Sequence, residues 1–257
     1  MPDCEFHLPH RFDWRHWVDR YDRMQKRYLV HRDERFAAIV RIVRETQSAV
    51  GHVLDLGCGA GSLTQLVLEA FPKAQVCGVD LDPTILALAR ERLAGFGDRV
   101  RLIQADLRGD GWLDCVRAPV DAAISATALH WLSADQLDAL YRQLSLVVRS
   151  GGVFLNADHV ASEAQAVQAA WETERAQLRA QEGNAGSDSW DEFWAAYGEA
   201  LRQDVRRIRE SEVGRWEGVE AGLPLTWHLD RLRAHGFAAV DCFWRCASDA
   251  IYGGLRA

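Results

Sequence analysis

No stretch of about 18 apolar residues occurs in this chain of 257 residues, so it offers no membrane-spanning helix. The opening residues, Met1-Pro2-Asp3-Cys4-Glu5-Phe6-His7, lack the basic start and apolar run of a secretion signal, and a cytoplasmic location with no membrane partner is expected. Positive charge is not in excess: 30 Lys and Arg stand against 37 Asp and Glu, a formal charge of −7. No global basic field exists to displace counterions from phosphates, and nucleic acid is not an expected partner. With only 6 Pro and 20 Gly, 48% hydrophobic and 26% charged residues, the chain is neither disordered, collagenous nor of low complexity. Its six cysteines, Cys4, Cys58, Cys77, Cys115, Cys242 and Cys246, form no C-x-x-C pair and are expected to be reduced thiols. Zinc is not expected, because Cys242 and Cys246 would share a strand face too far apart for one ion.

What is present is an alternation of short apolar runs with helical patterns. Val53-Leu54-Asp55-Leu56 follows a helical pattern at Phe36, Ile39, Val40, Ile42 and Val43 and runs into glycines, which marks a buried strand ending in a tight turn. Helices are then expected at 62–70, 83–94 and 134–148, and strands at 75–80, 100–104, 120–125 and 152–157. Such alternation implies right-handed βαβ units, with the loops after the strand C-termini on one ligand-binding edge. From about 160 the pattern changes to polar helices, Ala161 to Gln181 and Trp190 to Arg209, separated by a glycine- and serine-containing loop from Glu182 to Ser189. A helix near 225–235 and strands at 237–246 and 249–256 follow, the last two an antiparallel completion of the sheet. No internal repeat is evident.

The chemistry concentrates at the expected strand ends. In Asp55-Leu56-Gly57-Cys58-Gly59-Ala60-Gly61 the glycines allow a sharp turn and close approach of a ligand to the main chain. The spacing is G-x-G-x-G, not the G-x-G-x-x-G of dinucleotide sites, and Asp55 would repel a pyrophosphate but suit a cationic ligand. No G-K-[ST] follows, which excludes a nucleotide triphosphate loop. Asp80 ends the second strand, where a carboxylate can accept bonds from the hydroxyls of a ribose. Asp106 ends the third and can accept from an adenine amino group, with Leu81 and Leu107 offering apolar faces to the ring. Each acid alone also reads as a helix N-cap; in order, at successive strand ends, they are far more specific.

On these residues the sequence resembles the class I S-adenosylmethionine-dependent methyltransferases over about residues 35–157. The resemblance lies in D-x-G-x-G-x-G at Asp55 to Gly61, the acid Asp80, Ala105-Asp106, the strand Asp121 to Ser125, and Val148-Arg149-Ser150-Gly151-Gly152-Val153, where Ser150 replaces the family's usual Pro. It implies a seven-stranded sheet with its last strand antiparallel, and with the alternation above and the helices of 160–222 read as a lid the expected fold is α/β, Rossmann-like and doubly wound, a mostly parallel seven-stranded sheet with a helical lid insertion. The cofactor implied is S-adenosyl-L-methionine, held by Asp55, Gly57, Cys58, Gly59, Gly61, Asp80, Leu81, Asp106, Leu107 and Tyr28. The whole chain, 1–257, is expected as one methyltransferase domain: an N-terminal helical cover (1–50), a cofactor-binding core (51–159), a lid insertion (160–222), and a C-terminal helix with antiparallel strands (223–257).

His130, in Ala126-Thr127-Ala128-Leu129-His130-Trp131-Leu132, matches a stretch that in small-molecule members lines the space between cofactor and acceptor; it reads equally as a histidine packed on Trp131. His159 is the best-placed group to take an acceptor proton, with Asp158 either orienting it or capping the next helix. Trp14, Trp17, Tyr21 and Tyr28, interleaved with Arg15, Arg20, Arg23 and Arg27, form a leading helix that folds over the cofactor in related enzymes or simply packs on the sheet. Trp190, Phe193, Trp194 and Tyr197 share one helix face, either core or the floor of an acceptor pocket to which Trp216 and Leu223 to His228 add. The expected reaction is methyl transfer to an O, N or S nucleophile of a small-molecule acceptor, without a metal. A tRNA- or protein-modifying enzyme and a non-catalytic cofactor-binding regulatory protein are the alternatives, and a homodimer stays open.

Overall fold

A computed structural model describes residues 12–182, 187–214 and 216–257. Cys4, the opening segment, and residues 183–186 of the expected loop lie outside the described residues. The leading helices are α1 (Trp14–Tyr28) and α2 (Arg32–Thr46). The core then alternates: β1 (His52–Leu56), α3 (Ser62–Ala70), β2 (Gln75–Asp80), α4 (Pro83–Leu93), β3 (Val100–Gln104), β4 (Val120–Ala126), α5 (Ala134–Val147) and β5 (Val148–His159). Three helices follow, α6 (Gln165–Glu182), α7 (Trp190–Leu201) and α8 (Val205–Glu212), before α9 (Leu225–Ala234), β6 (Phe237–Cys246) and β7 (Asp249–Arg256).

The seven strands form one sheet in the order β3-β2-β1-β4-β5-β7-β6. β7 pairs antiparallel with both β5 and β6, so it alone runs against the others; β6 runs with the parallel set rather than against it. Two apolar layers cover the sheet. Leu140, Tyr141, Leu144 and Leu232 of α5 and α9 pack on Leu54, Ala123 and Phe154; Ile39, Val43, Val67 and Ala89 of α2, α3 and α4 pack on Val53, Ile124 and Leu155. The order reverses between β1 and β4, which puts the ligand crevice over the carboxyl ends of these strands.

Local chemistry sets the boundaries. Asp82 caps α4 by accepting from Thr84 N–H at 2.9 Å, with Pro83 in the first turn, and Ser133 and Gln136 make a capping box at the start of α5. β5 is longer than expected because Arg149-Ser150-Gly151-Gly152 is a bulge inside it, where pairing steps from Val120–Val148 to Ala122–Val153. The expected helix from Ala161 begins only at Gln165, since Ala161 bridges to Pro224. The expected helix Trp190 to Arg209 is two. Arg202 takes a left-handed conformation (φ 54°) and Asp204 caps α8 through Arg207 N–H at 3.0 Å. Among the described residues no helix is long and apolar enough to cross a membrane.

The closeness of β7 to β5 gives a direct check. A Cβ on Gly253 would lie 1.8 Å from the Phe154 carbonyl oxygen, whereas one on Gly109 meets nothing within 4 Å. Gly253→Ala is expected to lose about 3 kcal/mol or more in urea unfolding, and Gly109→Ala to stay within about 0.5 kcal/mol of the parent.

Candidate active site

A cavity of about 620 Å³ opens over the carboxyl ends of β1, β2 and β4. Gly57, Gly59 and Gly61 all hold left-handed φ, of 67°, 54° and 79°. A Cβ on Gly57 would lie 2.3 Å from Ala128 Cβ, so this turn seats against the loop after β4. Gly59 faces the cavity, and its nearest neighbour at the Cβ position is Ile85 Cδ1 at 3.5 Å, which leaves its backbone open to a ligand. Gly61 differs from expectation: it stands behind the wall, where a Cβ would meet Leu93 Cδ1 at 2.8 Å, and serves the packing of α3 on α4. Cys58 lies buried at the wall, its thiol pushed well up by burial. The cysteines among the described residues are free thiols.

The acids at the strand ends are held in three different ways. Asp80 accepts from Gly59 N–H at 2.8 Å and Asp82 N–H at 3.0 Å, which ties the glycine turn to β2. Burial outweighs these two bonds and pushes its carboxyl up to about 6. Asp55 accepts from the Thr64 hydroxyl, yet burial pushes it up to about 7, so it carries less charge toward a cation than the sequence implied. Asp106 is not a free acceptor: against partial burial, bonds from Arg108 at 2.8–2.9 Å hold its carboxyl below the usual range. Leu81, Leu107 and Tyr28 line the cavity, and the Tyr28 hydroxyl accepts from Trp190 N–H at 3.0 Å, which joins the leading helix to the cap.

At the far end stand His130 and His159, both buried, with ring centroids 5.2 Å apart. Asp158 does not orient the His159 ring. Its Oδ1 lies 2.6 Å from His130 Nδ1, and its Oδ2 accepts from His130 N–H at 3.1 Å. Burial would raise Asp158, but the His130 imidazole and then His159 hold it far below the usual carboxylate range. The His159 ring is instead held by Asp249, 2.6 Å from its Nδ1, and Asp249 also accepts from Arg35 at 3.4 Å.

A cap made of α7, α8 and the loop before α9 closes the cavity with Trp190, Arg209, Val213, Trp216 and Glu220. Of the aromatic stripe on α7 only Trp190 reaches it; Phe193, Trp194 and Tyr197 are packed with Trp17, Tyr21 and Met24 of α1, so the stripe is the core of the cap. Leu223 and His228 line an adjoining space of about 110 Å³ that shares His130, Leu132 and His159 with the main cavity, and Trp227 packs on Tyr141. Arg209 bonds Asp82 at 2.6 Å and lies 3.8 Å from the Trp194 ring centroid. Asp249, Arg35 and Arg209 are contributions the motifs did not reveal. Arg35 carried a signal: it stands on the face of α2 shared with Ile39 and Ile42, a charge among core positions.

The buried Asp55 makes stability depend on pH in a defined direction. Its folded-state value of about 7 exceeds the ordinary carboxylate value, so folding takes up a proton, and the penalty on the charged form is relieved as pH falls from 8 to 5. Asp55→Asn removes the penalty. The stability of the variant relative to the parent should therefore be more favourable at pH 8 than at pH 5, by roughly 2 kcal/mol, in paired urea titrations.

Residues 53–152 match the family model described as a methyltransferase domain. The chain is 37% identical to a trans-aconitate 2-methyltransferase of Acidovorax sp. (strain JS42) over 116 residues, 45% of this chain and 41% of that protein. It is 38% identical to the protein of the same name from Azoarcus sp. (strain BH72) over 131 residues, 50% and 47% of the two chains. The chain thus spans less than half the length of these curated relatives. An O-methyltransferase family protein from Burkholderia thailandensis superposes with a TM-score of 0.56 at 17% identity, over 93% of this chain and 68% of that one, and shows the same fold. With its sheet order, its glycine turn and the acids at its strand ends, the core of this chain resembles the class I S-adenosylmethionine-dependent methyltransferases, and the family match covers residues 53–152.

Proposed function

We propose that the protein transfers a methyl group from S-adenosylmethionine to an O, N or S nucleophile of a small molecule. The observation that carries this reading is one continuous cavity with the glycine turn and acids at one end and two carboxylate-paired imidazoles at the other. The donor set suits the cofactor: Asp80 is the acceptor for ribose hydroxyls, Leu81 and Leu107 flank the adenine, and the open backbone at Gly59 leaves room beside them. Tyr28 closes this end from the leading helix. Asp106 serves the adenine amino group only by sharing itself with Arg108. When bound, S-adenosylmethionine supplies an electrophilic methyl on a sulfonium.

The chain's own part is positioning and exclusion of water. Holding a nucleophile in line with the methyl is worth up to about 7–11 kcal/mol in well-oriented systems. Trp131, Trp190 and Trp216 supply apolar wall, and a dry site favours a reaction in which charge disappears. A cavity capped by α7, α8 and the loop before α9 accommodates a small acceptor better than a polymer. The relatives' name adds trans-aconitate, a carboxylate acceptor without a hydroxyl whose methylation gives an ester, as the comparison acceptor.

Calorimetric titration tests the cofactor half. S-adenosylmethionine and S-adenosylhomocysteine should bind in the micromolar range, and Asp80→Ala should weaken both at least about tenfold. A protonated Asp80 accepts poorly from hydroxyls. Affinity should therefore be level above pH 6 and fall by up to about tenfold per unit below it, as the carboxyl with a value of about 6 takes up its proton. Absence of binding by the parent protein at pH 7.5 would sink the reading.

A further inference from the structure

The two imidazole–carboxylate pairs stand side by side but are not equivalent. His130 and His159 each use Nδ1 toward a carboxylate at 2.6 Å, both rings line the cavity, and neither Nε2 has a protein partner among the described residues. Asp249, behind His159, also accepts from Arg35 of α2 at 3.4 Å, and Arg175 of α6 adds positive charge at longer range. Asp158, behind His130, has only neutral donors besides the imidazoles: the N–H groups of His130 at 3.1 Å and His159 at 2.9 Å, and the Asn156 amide at 3.4 Å.

Other titratable groups around the pair do not change this asymmetry. His228 of α9 is kept neutral by burial, which pushes it down to about 4, and the phenols of Tyr141 (α5) and Tyr252 (β7) are pushed up by burial. Glu220 of the loop before α9 and the buried Arg32 of α2 line the larger cavity, and Glu217 lines the smaller one. The carboxylate behind His130 carries no guanidinium and is left to its imidazole. The carboxylate behind His159 already faces Arg35 and Arg175, and the two rings lie 5.2 Å apart.

We propose that the two imidazoles form an acceptor subsite with divided roles, His130 donating from Nε2–H and His159 accepting at a bare Nε2. The acceptor class that fits is a hydroxyl compound with a second electron-rich oxygen beside the hydroxyl, such as an ortho-hydroxy carboxylate. This deepens the methyltransferase reading and rests on it. The hydroxyl oxygen forms the new bond to the methyl carbon, the electron pair of the broken carbon–sulfur bond stays on sulfur, and the hydroxyl proton goes to His159 Nε2 and then to solvent. His130 holds the neighbouring oxygen. Asp249 is a positioning residue: as an acceptor-only carboxylate it keeps the proton on His159 Nδ1 and the lone pair on Nε2.

The test uses the full chain loaded with S-adenosylhomocysteine and three probes: 2-hydroxybenzoate, benzoate and phenol. Binding of S-adenosylhomocysteine comes first; if it fails, the methyltransferase reading falls, and the subsite is judged only once it holds. 2-Hydroxybenzoate should bind at least about tenfold tighter than either single-group probe, without net proton uptake when buffers of different ionisation enthalpy are compared. With S-adenosylmethionine it should yield the ether. His130→Asn should raise KM, and His159→Asn should lower kcat. Asp249→Asn should lower kcat and displace the acid limb of the pH profile with little change in KM, and Asp249→Glu should recover part of the loss. Equal binding of 2-hydroxybenzoate and benzoate, uptake of a proton on binding, or an ester as product would overturn the proposal and point to a carboxylate held by two imidazolium donors. The probe comparison and proton count use the parent protein, so they decide the matter even if the variants fail to fold.

Discussion

Four carboxylates stand at one edge of one sheet, Asp55, Asp158 and Asp249 buried and Asp80 half-buried, and the site is organised by how each is compensated. Asp55 and Asp80 sit at the ends of β1 and β2, Asp158 at the end of β5, and Asp249 at the start of β7, which reaches the same edge because β7 runs the opposite way. Burial of a charge is costly unless it is bonded, paired or discharged. Asp80 is met by two backbone N–H groups, Asp55 by a hydroxyl and a raised proton affinity, Asp158 by an imidazole and main-chain donors, and Asp249 by an imidazole and a guanidinium. The glycine turn and the placement of both histidines follow from these solutions.

The cap is attached to this edge by a small number of contacts of different kinds. Aromatic packing between α1 and α7, with Trp17 5.8 Å from Phe193 and Tyr21 5.6 Å from it, supplies an apolar core of its own. Polar ties run from Arg20 to Asp188, from Trp190 N–H to Tyr28 and from Arg209 to Asp82. The last is notable because Asp82 also caps α4, so one carboxylate connects the cap helix α8 to the first turn after β2. Stacking of Arg209 on Trp194 fixes the guanidinium in that position.

The parallel core was legible in the sequence because its signals are local. A strand running into glycines, Asp82-Pro83 before a helix and Ser133 three residues before Gln136 each act within a few residues. Two kinds of feature were not legible. The break at Arg202 is tertiary: α7 turns back where a Cβ on Gly198 would come within 3.0 Å of the Gln203 carbonyl oxygen, and no Pro marks the place. The partner of His159 lies 90 positions away, across the sheet. Neighbourhood in sequence favoured Asp158, but successive strand residues point to opposite faces, so the ring of His159 and the carboxylate of Asp158 are not placed to face each other.

Strand direction explains why the cavity has two chemically different ends. Residues at the ends of β1, β2 and β3 contribute the acids Asp55, Asp80 and Asp106 and the apolar side chains of Leu81 and Leu107, because each parallel strand delivers its carboxyl end to this edge. Beyond β4 the chain enters a short turn at Leu129 to Trp131 instead of a long helix, which leaves His130 at the wall. β5 then ends in Asp158 and His159, whose outer neighbour is the antiparallel β7 and not another parallel strand. An antiparallel partner brings the beginning of a strand to the edge where parallel strands bring only their ends. Asp249 can therefore stand beside His159, with Arg35 reaching it from α2 on the flank of the sheet. The polarity of the site, acids toward the glycine turn and imidazoles toward β7, is in this sense a consequence of strand direction.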